Sequence, residues 1–441
     1  MKLRTVGIVA TVFALAATAA CGGGSSKASG SGSGSGGTLT YWASNQGTSL
    51  ANDKQVLGPE LAKFKKQTGV KVNLTVIGWP DLLNKILAAT TSGQGPDVLN
   101  IGNTWAASLQ ATGAFLPFDA SALTAIGGKD KFVAPAFASG GAPGKPVTSV
   151  PLYGLVYGLY YNKKMFSAAG LQPPTTWPEL VTDAKKLTNA SKGTYGMAME
   201  GGSYTEGVHF AFIFGEQNGA SPFNSAGKPT FTTPGMIAGV KQYVDLMGTD
   251  KVVNPSSVQY KNGPEAPGDF AKGKAAMLMS QNNADNTLQA DGMKSSDYGV
   301  VAIPGPSPMP PGGADVASFV AGINLSIFKN TKNKAAALKF VKFMTSTAEQ
   351  TILDKPFTAL PIVKGGTVNF TDSAAEAKAF SDVLATKAKP LPLVPAESAY
   401  ETNVGNAVVQ LLAQAATGKP VTNSDIKAAL QTAQDKMAAA G

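Results

Sequence analysis

From Thr38 onward, apolar and polar positions alternate in the rhythm of strand, helix, strand. Thr38-Leu39-Thr40-Tyr41-Trp42-Ala43 is β-rich and alternating, which predicts a first strand. Gln55 to Gln67 carries Val56, Leu57, Leu61 and Phe64 on one helical face, and Gly69 ends it. Val70 to Ile77 alternates again as a second strand, and Pro80-Asp81 opens a helix bearing Leu82, Leu83, Ile86 and Leu87. After Gly93-Gln94-Gly95-Pro96, the run Asp97 to Ile101 predicts a third strand. A β-α-β-α-β order predicts an α/β fold with a parallel sheet, whose ligands bind beyond the carboxyl ends of the strands. Those ends are Trp42 to Gln46, Gly78-Trp79 and Gly102 to Trp105, rich in aromatics and uncharged amides.

A second α/β unit begins near Val150. Pro151 to Asn162 reads as an aromatic strand stretch, with Tyr160 and Tyr161 in the core. Thr176-Trp177-Pro178-Glu179 is a capping box that opens a helix through Leu187, so Trp177 has a structural role. Asp269 to Met279 predicts a helix end, a glycine turn and a strand. Asn333 to Met344 and Glu376 to Leu384 are amphipathic, Ser424 to Met437 is an alanine-rich final helix, and no internal repeat is visible.

The first 37 residues follow another logic. Residues 1–20 have the zones of an export signal: Lys2 and Arg4, an apolar core from Val6 to Leu15, then the small residues Ala16 to Ala20. The apolar run is shorter than the roughly 20 residues of a permanent span. Ala19-Ala20-Cys21 resembles the lipobox of bacterial lipoproteins, with Thr18 where leucine is usual, and predicts lipidation of Cys21. Gly22 to Gly37 contains only Gly, Ser, one Ala and one Lys, so 21–37 reads as a lipid-anchored tether. A coil of that length spans about 20–25 Å. The expected location is the extracytoplasmic face of the cell membrane, held by the lipid alone.

Composition narrows the chemistry. The chain is 43% hydrophobic and 15% charged, which describes a folded body with a sizeable core. Its formal charge of +9 falls to +7 without Lys2 and Arg4, and the lysines are scattered, which argues against nucleic acid. Arg4 is the only arginine, so the exported body lacks the planar fork that grips phosphates and carboxylates. One His and one Cys leave no set of metal ligands, and no cofactor is expected. His209 lies in the apolar run Val208 to Phe214 and reads as a core or cleft histidine before a catalytic base. Paired carboxylates for glycoside hydrolysis remain open, with Glu200, Glu206, Glu216 and Glu397 as the candidate acids.

Several stretches carry a resemblance. They are Val150 to Tyr153, Leu159 to Phe166, Ala169-Gly170-Leu171 and Pro174 to Leu180. Gly95 to Val98, Gly273 to Met277 and Ala321 to Asn324 follow in order. The body resembles the carbohydrate-type solute-binding proteins of ABC importers, the family that includes maltose-binding protein. The resemblance implies a two-lobed periplasmic-binding-protein fold with an interlobe cleft and several hinge crossings, near 152–157, 300–304 and 353–361. Lobe 1 would hold 38–152 and 304–355, and lobe 2 would hold 153–303 and 356–441.

It also implies a ligand site. On lobe 1 the matching positions are Trp42, Asn45, Gln46, Trp79, Asn103, Thr104 and Trp105. On lobe 2 they are Glu200, Tyr204, Gln281, Asn282, Asn283, Glu397 and Tyr400. Relatives commonly carry an aromatic after the Ala-Ala-Met strand where Gln281-Asn282-Asn283 stands, so maltose specificity does not carry over. The implied function is non-enzymatic: a monomer captures a carbohydrate, closes by hinge rotation and meets the importer permease. A receptor for a polyol or another uncharged solute is the nearest alternative, and a surface glycoside hydrolase a more distant one.

Overall fold

Aromatic residues from distant parts of the chain lock together first. Phe340 packs edge-on against Tyr41 at 5.0 Å and against Phe64 at 5.2 Å, joining a late helix to the first strand and first helix. Burying a phenylalanine side chain contributes roughly 1.5–3 kcal/mol. The computed structural model describes residues 37–440; the export signal, Cys21 and the tether up to residue 36 lie outside the described residues.

Two sheets organise the body. The first has the order β2-β1-β3-β10-β4, built from β1 (Thr38–Ser44), β2 (Lys71–Ile77), β3 (Val98–Gly102), β4 (Ser149–Leu155) and β10 (Ala321–Ile327). β1 runs parallel to β2 and β3, while β10 is antiparallel to β3 and β4. The expected parallel sheet therefore holds for three strands, and the sheet as a whole is mixed. The second sheet has the order β6-β7-β5-β8, from β5 (Tyr157–Asn162), β6 (Tyr195–Ala198), β7 (Ala275–Gln281) and β8 (Tyr298–Val301). Between the sheets, β9 (Ser318–Phe319) pairs in parallel with β11 (Ala388–Lys389).

Local signals place the helices. Ser49 caps Leu50–Thr68, and Gly69 ends it in the left-handed region at φ 74°, its N–H on the Lys65 carbonyl. Thr176 and Glu179 form the expected reciprocal capping box at the start of Trp177–Leu187. Helix Trp79–Ser92 lays Leu82, Leu83 and Ile86 on the same apolar layer as Leu99 and Ile101 of the central strand β3 and Trp105 just after it. That packing fixes Trp79 at the carboxyl end of β2.

The stretch 151–162, read as one strand, divides at Val156, and its two halves join different sheets. Asn282 holds this break. Its Oδ1 accepts from Val156 N–H at 2.8 Å, its own N–H donates to the Val156 carbonyl at 3.1 Å, and its Nδ2 donates to the Thr358 carbonyl. Gly154 and Leu360 exchange backbone bonds at 3.1 and 2.8 Å, and Tyr157 N–H donates to Ser318 Oγ at 2.9 Å. Three passages between the lobes are thus tied at one point. The middle one comes later than 300–304: Trp177 N–H bonds the Gly305 carbonyl, Ala314 N–H bonds that of Glu216, and Ala317 N–H bonds that of Lys387. The chain leaves the second lobe at β9.

Candidate functional site

The carboxyl ends of β1, β2 and β3 supply one wall of a cleft, as the parallel strand order requires. The loop Asn45-Gln46-Gly47 is shaped by Asp53, which is fully buried in the first turn of helix Leu50–Thr68. Its carboxylate accepts from Gln46 N–H at 3.0 Å, Gly47 N–H at 2.6 Å and Asn45 Nδ2 at 2.8 Å. Burial pushes the Asp53 carboxyl up, and those three bonds act against it. An added Cβ at Gly47 would lie 2.0 Å from the Asn52 side-chain oxygen, so that side chain would have to move. Nothing in the sequence pattern marked Asp53, because a carboxylate in a first helical turn is ordinary.

The Asn45 carbonyl accepts from Trp79 Nε1 at 2.8 Å, which sets that ring half-buried at the cleft wall. Trp79 meets Trp105 edge-on, with ring centroids 5.7 Å apart. Trp105 is 1% exposed, and its indole N–H donates to Glu401 Oε2 on helix Glu397–Ala416. Gln46 is buried, and its Oε1 has no hydrogen-bond partner among the described residues. Its backbone carbonyl accepts from Asn286 Nδ2 at 3.3 Å on the opposite side.

The other wall comes from lobe 2. Helix Tyr204–Gln217 presents Glu206 and His209, the loop before it presents Glu200, and Gln281 and Asn283 follow β7. Tyr157 hydroxyl donates to Glu206 Oε1 at 2.6 Å and lies 2.8 Å from His209 Nδ1, so with one proton it accepts from Nδ1–H. His209 also stacks on Phe319 at 4.4 Å, and its Nε2 lies 3.9 Å from Glu401 Oε1. Burial pushes Glu206 up, against the nearby His209 and Tyr157. Burial raises Glu200 well above the usual range, and Glu206 and Glu265 add to it. Burial drives Glu401 upward, yet the neighbouring His209, with Glu397 and Thr104, holds it below its ordinary value.

Helix Glu397–Ala416 reaches this site because Gly405 crosses helix Tyr204–Gln217 without a side chain. A Cβ there would lie 2.1 Å from the Tyr204 carbonyl oxygen.

The enclosed space is about 970 Å³, its open mouth included. Of the expected residues, Asn45, Gln46, Trp79, Asn103, Thr104, Trp105, Glu200, Gln281 and Asn283 line it. Five stand elsewhere. Trp42 packs half-buried beside the apolar layer of Leu82 and Ile101, because its position in β1 points it to that face. Asn282 is consumed by the Val156 and Thr358 brace. Tyr204 sits half-buried at its helix start, outside the lining. Tyr400 is fully buried between Phe223 and Phe231, at 5.6 and 5.2 Å. Glu397 is fully buried and does not line the cleft. Conversely, Glu206, His209, Phe319 and Glu401 line the cleft and had no place among the expected contacts. The i, i+4 spacing of Glu397 and Glu401 was the available signal. Only the fold shows which of the two faces the ligand space.

Among the described residues, no group of His, Cys, Asp and Glu is placed to hold a metal ion, and no helix is long and apolar enough to cross a membrane.

Two lobes joined by three passages, with an amide- and aromatic-lined cleft between them, define a two-lobed ligand-binding protein. The sequence comparison makes this specific. Residues 32–351 match the model of the bacterial extracellular solute-binding protein family, and the chain belongs to that family. A binding protein of Brucella abortus is 26% identical over 65% of this chain and 68% of its own length. The diacetylchitobiose binding protein DasA of Streptomyces coelicolor is 26% identical, covering 95% of each chain. Among solved structures, an ABC transporter solute-binding protein of Thermotoga lettingae bound with α-D-tagatose superposes with a TM-score of 0.78. It is 21% identical over 91% of this chain and 99% of its own.

Proposed function

We propose that this chain is the carbohydrate receptor of an ABC-type importer. The observation that carries the reading is the make-up of the cleft: Trp79 and Trp105 on one wall face Glu200, Glu206 and Gln281 on the other. Sugar rings offer apolar C–H faces to aromatics and hydroxyls to amides and carboxylates. DasA and the Thermotoga protein support the ligand class, since the first is named for a sugar and the second is bound with one.

The protein works without covalent chemistry. Of the acids weighed for hydrolysis, Glu216 is engaged by Lys389 at 2.8 Å outside the cleft and Glu397 does not line it. The lobes, approximately 38–155 with 321–357 and 157–317 with 361–440, rotate about the Asn282 knot, and ligand bridging both walls favours the closed form. Residues 1–20 direct export, Cys21 carries the lipid, and 21–37 tether a monomer near its permease.

A thermal-shift screen of mono-, di- and trisaccharides beside polyols tests this, followed by calorimetry on the hits. Raised melting temperature with unaltered sugar supports it; cleavage products or no response to any sugar overturns it.

A further inference from the structure

All the carboxylates that line the cleft stand on one wall. Glu200 comes from the loop after β6, Glu206 from helix Tyr204–Gln217 and Glu401 from helix Glu397–Ala416. The facing wall brings amides, a threonine, glycines and two tryptophans, and no charged group. Two basic side chains line the space as well. His209 sits between Glu206 and Glu401, 4.0 and 3.9 Å from their oxygens, and Lys261 is exposed at the rim.

Glu401 makes the wall more than a cluster of acids. It is 1% exposed, its Oε2 is taken by Trp105, and its Oε1 accepts no hydrogen bond among the described residues. A buried acceptor without a donor is destabilising until something supplies one. A ligand hydroxyl would supply a donor, but it brings acceptor lone pairs against three carboxylates. An ammonium brings three donors, no acceptor and a positive charge.

Resting on the saccharide reading above, we infer that the cleft selects an amino sugar, its protonated amine facing Glu200, Glu206 and Glu401. Burial presses the carboxyls of Glu200 and Glu206 toward their neutral forms, and a cation beside them relieves that pressure.

Calorimetry on matched pairs tests this: glucosamine with glucose, galactosamine with galactose, and the disaccharide of two glucosamines with cellobiose, each at neutral pH. In the pair that binds, the amine should bind at least about tenfold more tightly. In Glu200→Gln and Glu206→Gln the ratio of neutral-sugar Kd to amine Kd should shrink several-fold, with melting temperature confirming folding. Equal or tighter binding of the neutral member overturns the amine preference and leaves the saccharide reading standing. Binding of the diamine putrescine with no binding of any sugar overturns the saccharide reading and this inference as an amino-sugar site. No binding by any of these overturns both.

Discussion

The indole N–H of Trp105, in the turn after β3, donates to Glu401 Oε2 on helix Glu397–Ala416, across 296 residues of sequence. The bond joins the two walls of the cleft at its floor, and Trp105 is almost wholly buried in making it. Ser398 N–H adds a second tie to Ser108 Oγ at 2.9 Å. Trp105→Phe keeps most of the ring and removes only the donor. Glu401 then loses its one strong neutral donor while staying buried, so unfolding free energy should fall by about 1–3 kcal/mol. Urea denaturation measures this; an unchanged midpoint would show that the bond contributes nothing to holding the walls together.

Trp79 has the opposite balance. It is half-buried, lines the ligand space and is held by one bond to the Asn45 carbonyl. Trp79→Ala should weaken saccharide binding by roughly ten- to a hundredfold, in keeping with the 1.5–3 kcal/mol of a covered aromatic face. Trp79→Phe should recover part of that loss. Wild-type affinity in the alanine variant would remove Trp79 from the binding surface.

Asn282 separates a hinge role from a contact role. Its side chain is fully buried and bonds Val156 and Thr358, which belong to two different passages between the lobes. Asn282→Ala leaves the Val156 N–H and Thr358 carbonyl without those partners and should cost about 1–3 kcal/mol of stability. Small-angle scattering with and without ligand should also show an altered spread of lobe separations. Full stability together with weaker binding would return Asn282 to the list of direct contacts.

Gly405 sets how closely the two cleft helices cross. An alanine Cβ would meet the Tyr204 carbonyl oxygen at 2.1 Å, and backbone on backbone has no rotamer to escape into. Gly405→Ala should destabilise by about 1–3 kcal/mol or more and move Glu401 away from Trp105. The control is Gly58→Ala, in an exposed helix position with nothing within 4 Å of the added carbon. That change should stabilise by up to about 1 kcal/mol through helix propensity. Equal stability of the two variants would contradict the crossing argument.

How much of this was readable in the chain depends on the range of the interaction. Strands, caps and the loops after β1, β2 and β3 follow from local pattern, so Gln46, Trp79, Asn103 and Trp105 were found at the cleft wall. The Thr176–Glu179 capping box was legible for the same reason. Trp42 was misplaced because its neighbour Tyr41 and it look equally aromatic, and only the sheet decides which face each takes. The break at Val156 was invisible, since a continuous apolar run reads the same whether one sheet or two receive it. Glu401 escaped because a carboxylate on a long helix is solvated by default. Its burial comes from Gly405 and from Trp105, both distant in sequence.

Asp354 predicts how stability responds to pH. It is 2% exposed, ends helix Thr347–Asp354 where the helix dipole disfavours negative charge, and its Oδ1 has no partner among the described residues. Burial raises its carboxyl from 3.8 to about 8. A carboxyl raised on folding binds its proton more tightly in the native state than in the unfolded chain. Its contribution to stability is therefore complete below about pH 4 and is lost as pH rises toward about pH 8. Glu349 on the same helix acts with the same sign: burial lifts it to about 7, against the pull of Lys63. At one pKa unit per 1.36 kcal/mol, Asp354 alone accounts for a loss on the order of a few kcal/mol across that window. Asp354→Asn, neutral at every pH, should flatten the slope of unfolding free energy between about pH 4 and about pH 8. It should leave the slope that belongs to the other raised carboxyls, Glu349, Glu200 and Glu206 among them. Urea unfolding at several pH values in that window reads both slopes, and an identical slope in the variant would show that Asp354 is ionised in the folded protein.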